Sequence, residues 1–387
     1  MDFQLSDDQR ALRSGMRDLL GAVFDRDRLR AAVERDGVLD RSLWRELGAA
    51  GFFALRLPEE AGGVGLGLPE AVLLFEEAGR ALLPGPLVAT HLAAGLVKGA
   101  AEGEAVVTAV AGGLPVAHLA EADAVLLVGF EPPAGEARGA EALTGEARGA
   151  EALTGEARGA EALTGEALRA FVAAARPVRS MDPLTPLHRA PAGRVSAMET
   201  FRVASERTRA DAERAPAATE RTPAHAGRFR FEAALLTAAE QLGSAARTTE
   251  AAVQHAGSRE QFGSPVGAFQ AVKHLCADML ARTEPARAAV YAAAVTGDPV
   301  EIAAAKLLAD EAAVRNARDC LQIHGGMGFT WEADVHLHLK RAWLRAASWL
   351  DGAGAEDLLA ADLGSAGRLP RSSAAYGRPV PEAGGGG

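Results

Sequence analysis

Ser258-Arg259-Glu260-Gln261-Phe262-Gly263-Ser264-Pro265-Val266-Gly267-Ala268-Phe269-Gln270-Ala271-Val272-Lys273-His274 forms a glycine-rich break between two long helical stretches. Its glycines let backbone approach a ligand closely. Arg259 offers a planar fork for a diphosphate, and Phe262 offers a flat face for a base. A purely structural junction between helices is the competing reading of the same residues. Downstream stands Gln322-Ile323-His324-Gly325-Gly326-Met327-Gly328-Phe329-Thr330-Trp331-Glu332, whose clustered glycines expose amides suited to phosphates or a polar ring edge. It lacks the dinucleotide spacing Gly-x-Gly-x-x-Gly and follows a helix rather than a strand. In isolation it reads as a helix C-cap and turn.

Working back from this segment, Asp298-Pro299-Val300-Glu301 carries a capping aspartate, a proline suited to the first turn and a glutamate completing a capping box. The helix it starts runs to His324 and ends at Gly325-Gly326. Residues 1–105 read as amphipathic helices, including Leu43–Phe52 and about 69–82, around a glycine-rich loop at Pro58–Gly67. From 106 to 200 the texture changes. Short apolar runs at Glu104–Val110, Ala124–Phe130 and Ala175–Met181 predict strands of a small β domain.

That domain is interrupted by three identical copies of Gly-Glu-Ala-Arg-Gly-Ala-Glu-Ala-Leu-Thr at 135–164. With one leucine per copy the array cannot build a core, so it reads as a solvated insertion with partial helix at most; a partner-binding array is the alternative. A polar connection at 201–230 precedes a helical bundle at 231–363, and a tail expected to be disordered occupies 364–387. The fold class is therefore mainly α with a small central β domain.

The chain has 387 residues, is 48% hydrophobic and carries a formal net charge of −10, which suits a globular core and argues against nucleic-acid binding through a basic surface. No charge-free apolar run is long enough for a membrane span, and the first residues do not resemble a secretory signal, so the cytoplasm is expected. Cys276 and Cys320 are too few for a disulfide framework and are expected to be reduced and packed. His336 and His338, two apart, face different sides of one helix and do not suggest a metal site. His274 and His324 read as polar contacts near the ligand or an interface.

Together, Arg-Glu-Gln-Phe-Gly with Phe-Gln-Ala-Val-Lys-His, then His-Gly-Gly-Met-Gly-Phe-Thr-Trp-Glu, resemble the acyl-CoA dehydrogenase family, short actinobacterial type. The likeness extends to Leu5-Ser6-Asp7-Asp8-Gln9, Leu57-Pro58-Glu59-Glu60-Ala61-Gly62-Gly63 and Ala303-Ala304-Ala305-Lys306, and covers about 1–115 and 231–350. It implies an N-terminal helical domain, a central β domain and a C-terminal four-helix bundle, assembled as a tetramer with FAD between subunits. By residue matching, Arg259, Gln261, Phe262, Phe269, Gln322, Gly325 and Gly326 become the flavin contacts, with Arg259 and Phe262 reaching a neighbouring subunit's flavin. The implied reaction is α,β-dehydrogenation of an acyl thioester in lipid metabolism. A carboxylate removes the α proton while the β hydrogen leaves as hydride to the flavin. The thioester carrier is CoA or an acyl carrier protein, and the expected electron acceptor is another flavoprotein.

The sequence departs from the family at the base. A gapless count from Gly325 places the usual glutamate of a Tyr-Glu-Gly-Thr-like segment at Trp349, which cannot take a proton. Asp351, followed by glycine, is one substitute, although Asp-Gly also terminates helices. Isovaleryl-type members carry the glutamate on an earlier helix, where the count reaches Ala233, beside Glu232, the second candidate. The family's Thr-Glu-x-x-x-Gly-Ser-Asp-like flavin-touching stretch has no match between 106 and 200. These departures leave two alternatives: a non-catalytic or half-site subunit in a homo- or hetero-oligomer with another acyl-CoA dehydrogenase chain, or a flavin oxidase or monooxygenase on the same fold.

Overall fold

The computed structural model describes residues 4–111, 114–128, 160–190 and 224–366. The N-terminal part is helical: α1 (Asp7–Val23), α2 (Arg26–Glu34), α3 (Arg41–Ala49), α4 (Leu68–Arg80) and α5 (Leu87–Leu92). Its starts follow from local chemistry. Ser6 and Gln9 exchange side chain and backbone in a complete capping box, while Asp25 and Asp40 cap α2 and α3. Trp44, Phe52, Phe53 and Phe75 pack as an almost wholly buried aromatic cluster under these helices.

The β domain is small. Strands β1 (Val107–Ala111), β3 (Ala124–Val128) and β4 (Ala160–Leu163) form one sheet in the order β1-β3-β4, parallel between the first pair and antiparallel between the second. Strands β2 (Val116–Ala117), β5 (Arg176–Val178) and β6 (Leu187–Arg189) form another, and helix α6 (Gly165–Ala174) joins the two sheets. Every residue of β3 is buried because both its faces are covered. Val125 and Leu127 join a cluster with Leu163 and Phe171, whereas Leu126 and Val128 join one with Phe229. The end of the third repeat is thus a strand rather than solvated insertion, since Leu163 finds an apolar seat that composition alone does not reveal. Residues 129–159, which include most of the repeats at 135–164, residues 191–223, which include most of the connection at 201–230, and the tail beyond 366 lie outside the described residues.

The C-terminal part consists of α7 (Ala224–Ser258), α8 (Gln270–Thr296), α9 (Pro299–His324), α10 (Val335–Ala346) and α11 (Gly352–Ala366), with a short hairpin, β7 (Glu260–Gln261) and β8 (Ser264–Pro265), between α7 and α8. Helix α7 begins before the expected bundle boundary. Asp298 caps α9 as expected, accepting from the Val300 and Glu301 amides. The reciprocal half of the capping box is absent: Glu301 takes the Thr296 hydroxyl at 2.7 Å, and that hydroxyl receives the Asp298 amide. Alanines 233, 234, 238 and 239 of α7 and 303, 305, 309, 312 and 313 of α9 are fully buried, so small side chains let these helices approach closely. Among the described residues no helix is long and apolar enough to cross a membrane.

Helix α4 docks the N-terminal part on α7 through two reciprocal glycines. A Cβ on Gly79 would collide with the Glu240 backbone, and one on Gly243 would collide with the Glu76 carbonyl. Alanine in an ordinary helix interior gains roughly 1 kcal/mol over glycine. Here, Gly243→Ala is expected to destabilise by about 1–3 kcal/mol, because overpacking outweighs propensity. Denaturant midpoints of the two proteins measure this; an alanine variant as stable as the parent would show that the helices do not meet backbone to backbone.

Candidate flavin cradle and acyl cavity

Helix α7 ends at Ser258, and the chain then reverses through a two-residue turn. Gln261 pairs with Ser264 across β7 and β8, leaving Phe262 (φ 52°) and Gly263 (φ 77°) in the left-handed region that such hairpin turns need. Phenylalanine rarely adopts that conformation, so the turn is strained at the residue it presents. The residue stands 92% exposed, with the Phe269 ring edge-on at 6.1 Å between centroids. A few residues before the hairpin, His255 stacks on His324 at 4.1 Å, which joins the end of α7 to the end of α9. Beyond His324, Gly325 takes φ 60°, ψ −143°, and its amide donates to the Gln322 carbonyl.

These elements enclose a cavity of about 500 Å³. Arg259, Gln261, Phe262, Phe269, Gln322, Gly325 and Gly326 all line it, so every residue expected to contact flavin converges on one surface. The volume lies within the usual range for cofactor sites. The donor set fits the dinucleotide end of FAD: an exposed guanidinium, a carboxamide, an unobstructed glycine turn and an open aromatic face. His324 lines the same cavity, whereas His274 does not. Cys276 and Cys320 are free thiols, and burial pushes Cys320 up to about 12. Among the described residues no cluster of His, Cys, Asp or Glu is placed to hold a metal.

A second cavity, of about 160 Å³, lies where the three parts of the chain meet. The Gly85–Ala89 segment, Thr108, Ala109, Thr237, Glu240, Arg341, Arg345, Ser348 and Trp349 contribute to its wall. Glu240 and the first cavity's His255, both on α7, stand about 22 Å apart along the helix axis. Trp349 has φ 65° and its ring lies 6.1 Å from that of Phe229.

Neither candidate base lines this second cavity. Asp351 is exposed, and its Oδ1 accepts from the Gly354 amide at 2.9 Å, the role of a turn residue starting α11. Glu232 is buried but engaged at both oxygens, by Arg56 at 2.8 Å and Arg228 at 3.2 Å. Burial opposes its ionisation, yet the two arginines outweigh burial and hold it below the usual carboxylate range. Sequence reading missed Glu240, which does line the cavity. Its pKa is raised because burial outweighs Arg345 and Arg341. Nothing in the local sequence distinguishes it from a surface glutamate.

The charges around this wall are paired. Arg345 Nη2 donates to Glu240 Oε1 at 2.7 Å. Arg341 Nε donates to buried Asp182, and Arg341 Nη1 to the Leu83 carbonyl at 3.1 Å. Arg341 Nη2 and Arg345 Nη1 have no partner among the described residues. On the neighbouring turn, His338 meets the Ser244 hydroxyl at 2.8 Å, and His336 meets the Trp331 ring edge. Both histidines thus serve packing.

These contacts can be set beside known proteins. The Acyl-CoA dehydrogenase N-terminal domain family matches residues 6–102, and the Acyl-CoA dehydrogenase C-terminal domain family matches residues 227–362. Acyl-CoA dehydrogenase IpdE2 of Mycobacterium tuberculosis is 34% identical over 318 residues, which are 81% of this chain and 84% of that protein. The chain belongs to the acyl-CoA dehydrogenase family. In fold it is similar to glutaryl-coenzyme A dehydrogenase in its glutaryl-CoA complex, with a TM-score of 0.71 at 19% identity over 94% of this chain and 97% of that one. The ChsE4-ChsE5 complex of Mycobacterium tuberculosis matches at a TM-score of 0.65 and 21% identity, over 96% and 100%. The family's members are FAD-dependent oxidoreductases, and α,β-dehydrogenation of an acyl-CoA is the activity this chain serves. Its architecture of helical domain, small β domain and helical bundle is the one expected.

Burial sets a pH dependence for the acyl-CoA dehydrogenase chain. It pushes His338 down to about 3, and His336 and His91 to about 4. Unfolded histidine titrates near 6.5, so below that pH the unfolded chain binds protons that the native chain does not. Stability is therefore full above about pH 6.5 and falls as the pH drops toward 4. Removing one such group by His338→Gln should flatten the decline by about 1.4 kcal/mol per pH unit between about pH 6 and 4. Urea unfolding across this range provides the measurement; an unchanged slope would mean that His338 is protonated in the native state.

Proposed function

We propose that this chain works as one half of a mixed acyl-CoA dehydrogenase assembly: it holds the dinucleotide end of a neighbouring chain's FAD, and the neighbouring chain supplies the base. The observation that carries this reading is the contrast between the two cavities. All seven residues expected to contact flavin line the cradle, whereas the position expected for the base is Trp349, beside a space of about 160 Å³. An apolar cavity of about 150 Å³ accommodates a single benzene ring, so this one is small for a three-ring isoalloxazine.

In this arrangement Arg259 would hold the diphosphate, Phe262 would face the adenine, and the Gln322 side chain with the open Gly325-Gly326 turn would meet the polar edges. FAD, when bound, supplies the acceptor for the β hydrogen. The chain's own residues supply position: the hairpin holds Phe262 outward, and the stacked histidines fix the two helix ends relative to each other. The α proton goes to a carboxylate of the partner, since Glu232 is held by Arg56 and Arg228 and Asp351 caps a helix. The assembly takes acyl-CoA, or an acyl carrier protein thioester, and passes electrons to a further flavoprotein in the cytoplasm. A tetramer containing two copies of each chain suits a cradle on one chain and a base on the other.

Expression alone and with a base-bearing homologue tests the proposal. Expected are a colourless protein alone, a yellow complex on co-expression, and anaerobic flavin bleaching by acyl-CoA in the complex. Arg259→Ala should weaken flavin retention about tenfold or more, as loss of a charge-assisted contact does. A yellow protein obtained alone, bleached by acyl-CoA and made inert by Asp351→Asn or Glu232→Gln, would overturn it.

A further inference from the structure

The flavin cradle leaves a charge unanswered. Arg259 is the one permanent cation in its wall among the described residues, and neither a lysine nor a carboxylate lines it. A dinucleotide diphosphate carries two negative charges, so a single guanidinium balances half of what FAD brings. The remaining ionisable groups of the wall are His255 and His324, the rings stacked at 4.1 Å. Arg259 follows His255 by one helical turn, its amide donating to the His255 carbonyl at 2.8 Å. His324 is fixed through Nδ1, which meets the Cys320 carbonyl at 2.8 Å and leaves Nε2 as the position for a second proton. Both His255 ring nitrogens and His324 Nε2 lack a hydrogen-bond partner among the described residues, and all three are open to the surface of these half-buried side chains.

We propose that His255 and His324 act as a proton-taking pair in the cradle: as the diphosphate settles against Arg259, the two imidazoles together bind one proton from solvent, and the site meets the dianion with two positive charges. This rests on the cradle reading, with the diphosphate of FAD beside Arg259. In the free chain, burial, His324 and Arg259 hold His255 below the usual histidine range, so its ring is neutral at physiological pH. An anion beside the rings favours their charged form. The stacking limits the uptake to one proton, since two cations in face-to-face contact repel. Neighbouring groups do not compete for this role. Helix α8 contributes Ala271, Val272 and Leu275 to the wall, whereas its Lys273 and His274, and Glu260 of the hairpin, do not line it. On α9, Asp319 pairs with Arg282, and burial keeps Cys320 a neutral thiol. Protons thus assist the bound state, and FAD binding strengthens as the pH falls toward about 6.

FAD titrations of whichever form holds flavin, the chain alone or its co-expressed complex, test the pair after the cofactor has been stripped. Fluorescence quenching at about pH 8 and about pH 6 reads the affinity, and calorimetry in two buffers of different ionisation enthalpy counts the protons taken up. Expected are an affinity about tenfold higher at the lower pH and up to one proton bound per FAD. The diphosphate keeps its charge across this range, so the change belongs to the protein. The double variant His255→Phe/His324→Phe keeps two rings to stack and removes both titrations. It should bind FAD like the parent at the higher pH, lose the pH dependence and take up no proton. Rings that only pack would instead weaken FAD equally at both pH values, which would overturn the proposal. Should the variant not fold, the proton count on the parent decides. A pH-independent affinity with no proton taken up would sink the proposal while leaving the cradle in place, as would a double variant that retains the parent's proton uptake. A chain that binds no FAD in any form would bring down the cradle itself, and the pair with it.

Discussion

The close crossing of α4 over α7, glycine against backbone in both directions, is the constraint on which much of the remaining structure depends. Two helices normally pack with their axes about 8–10 Å apart, and only missing side chains permit a closer approach. With Gly79 seated on Glu240 and Gly243 on Glu76, the N-terminal helices cannot slide along the bundle. The segment following α4 is thereby delivered to the wall that α7 and α10 share. The same crossing accounts for the burial of Glu76 and Glu77, which are answered by Arg287, Tyr291 and Arg17 rather than by solvent. Burying a carboxylate is costly unless it is paired. Glu76, Glu77, Glu240 and Asp182 each have an arginine partner.

What the sequence disclosed and what it concealed divide along contact range. The cradle was legible because its parts are local: a break after one helix, glycines after another, and an arginine and phenylalanine in fixed order. The seven residues expected to meet flavin do meet one another around a single space. Hidden was the means of presentation, a two-residue turn that forces Phe262 into a left-handed backbone, because Phe-Gly carries a weaker turn signal than Asn-Gly.

The cavity beside Trp349 was opaque for the opposite reason. Arg341 finds Asp182 across the chain, and Arg345 finds Glu240 on another helix, pairings that no periodicity encodes. The same blindness affected Glu232, one residue off the register count, which proves to be clasped by Arg56 from the N-terminal domain. Register locates a residue along a helix; it says nothing of the cations brought opposite it.

The strand β4 has a consequence for how this chain can vary. The four residues Ala160-Glu161-Ala162-Leu163 that join the sheet occur, letter for letter, in each of the three ten-residue copies. Removing or adding a whole copy therefore delivers the same segment, followed by the same Thr164, to the edge of β3. Sheet register is blind to copy number. Gene-level slippage that lengthens or shortens the array leaves the β domain's pairing code intact, so related chains can differ by multiples of ten residues here without altering the side chains that Leu163 packs against.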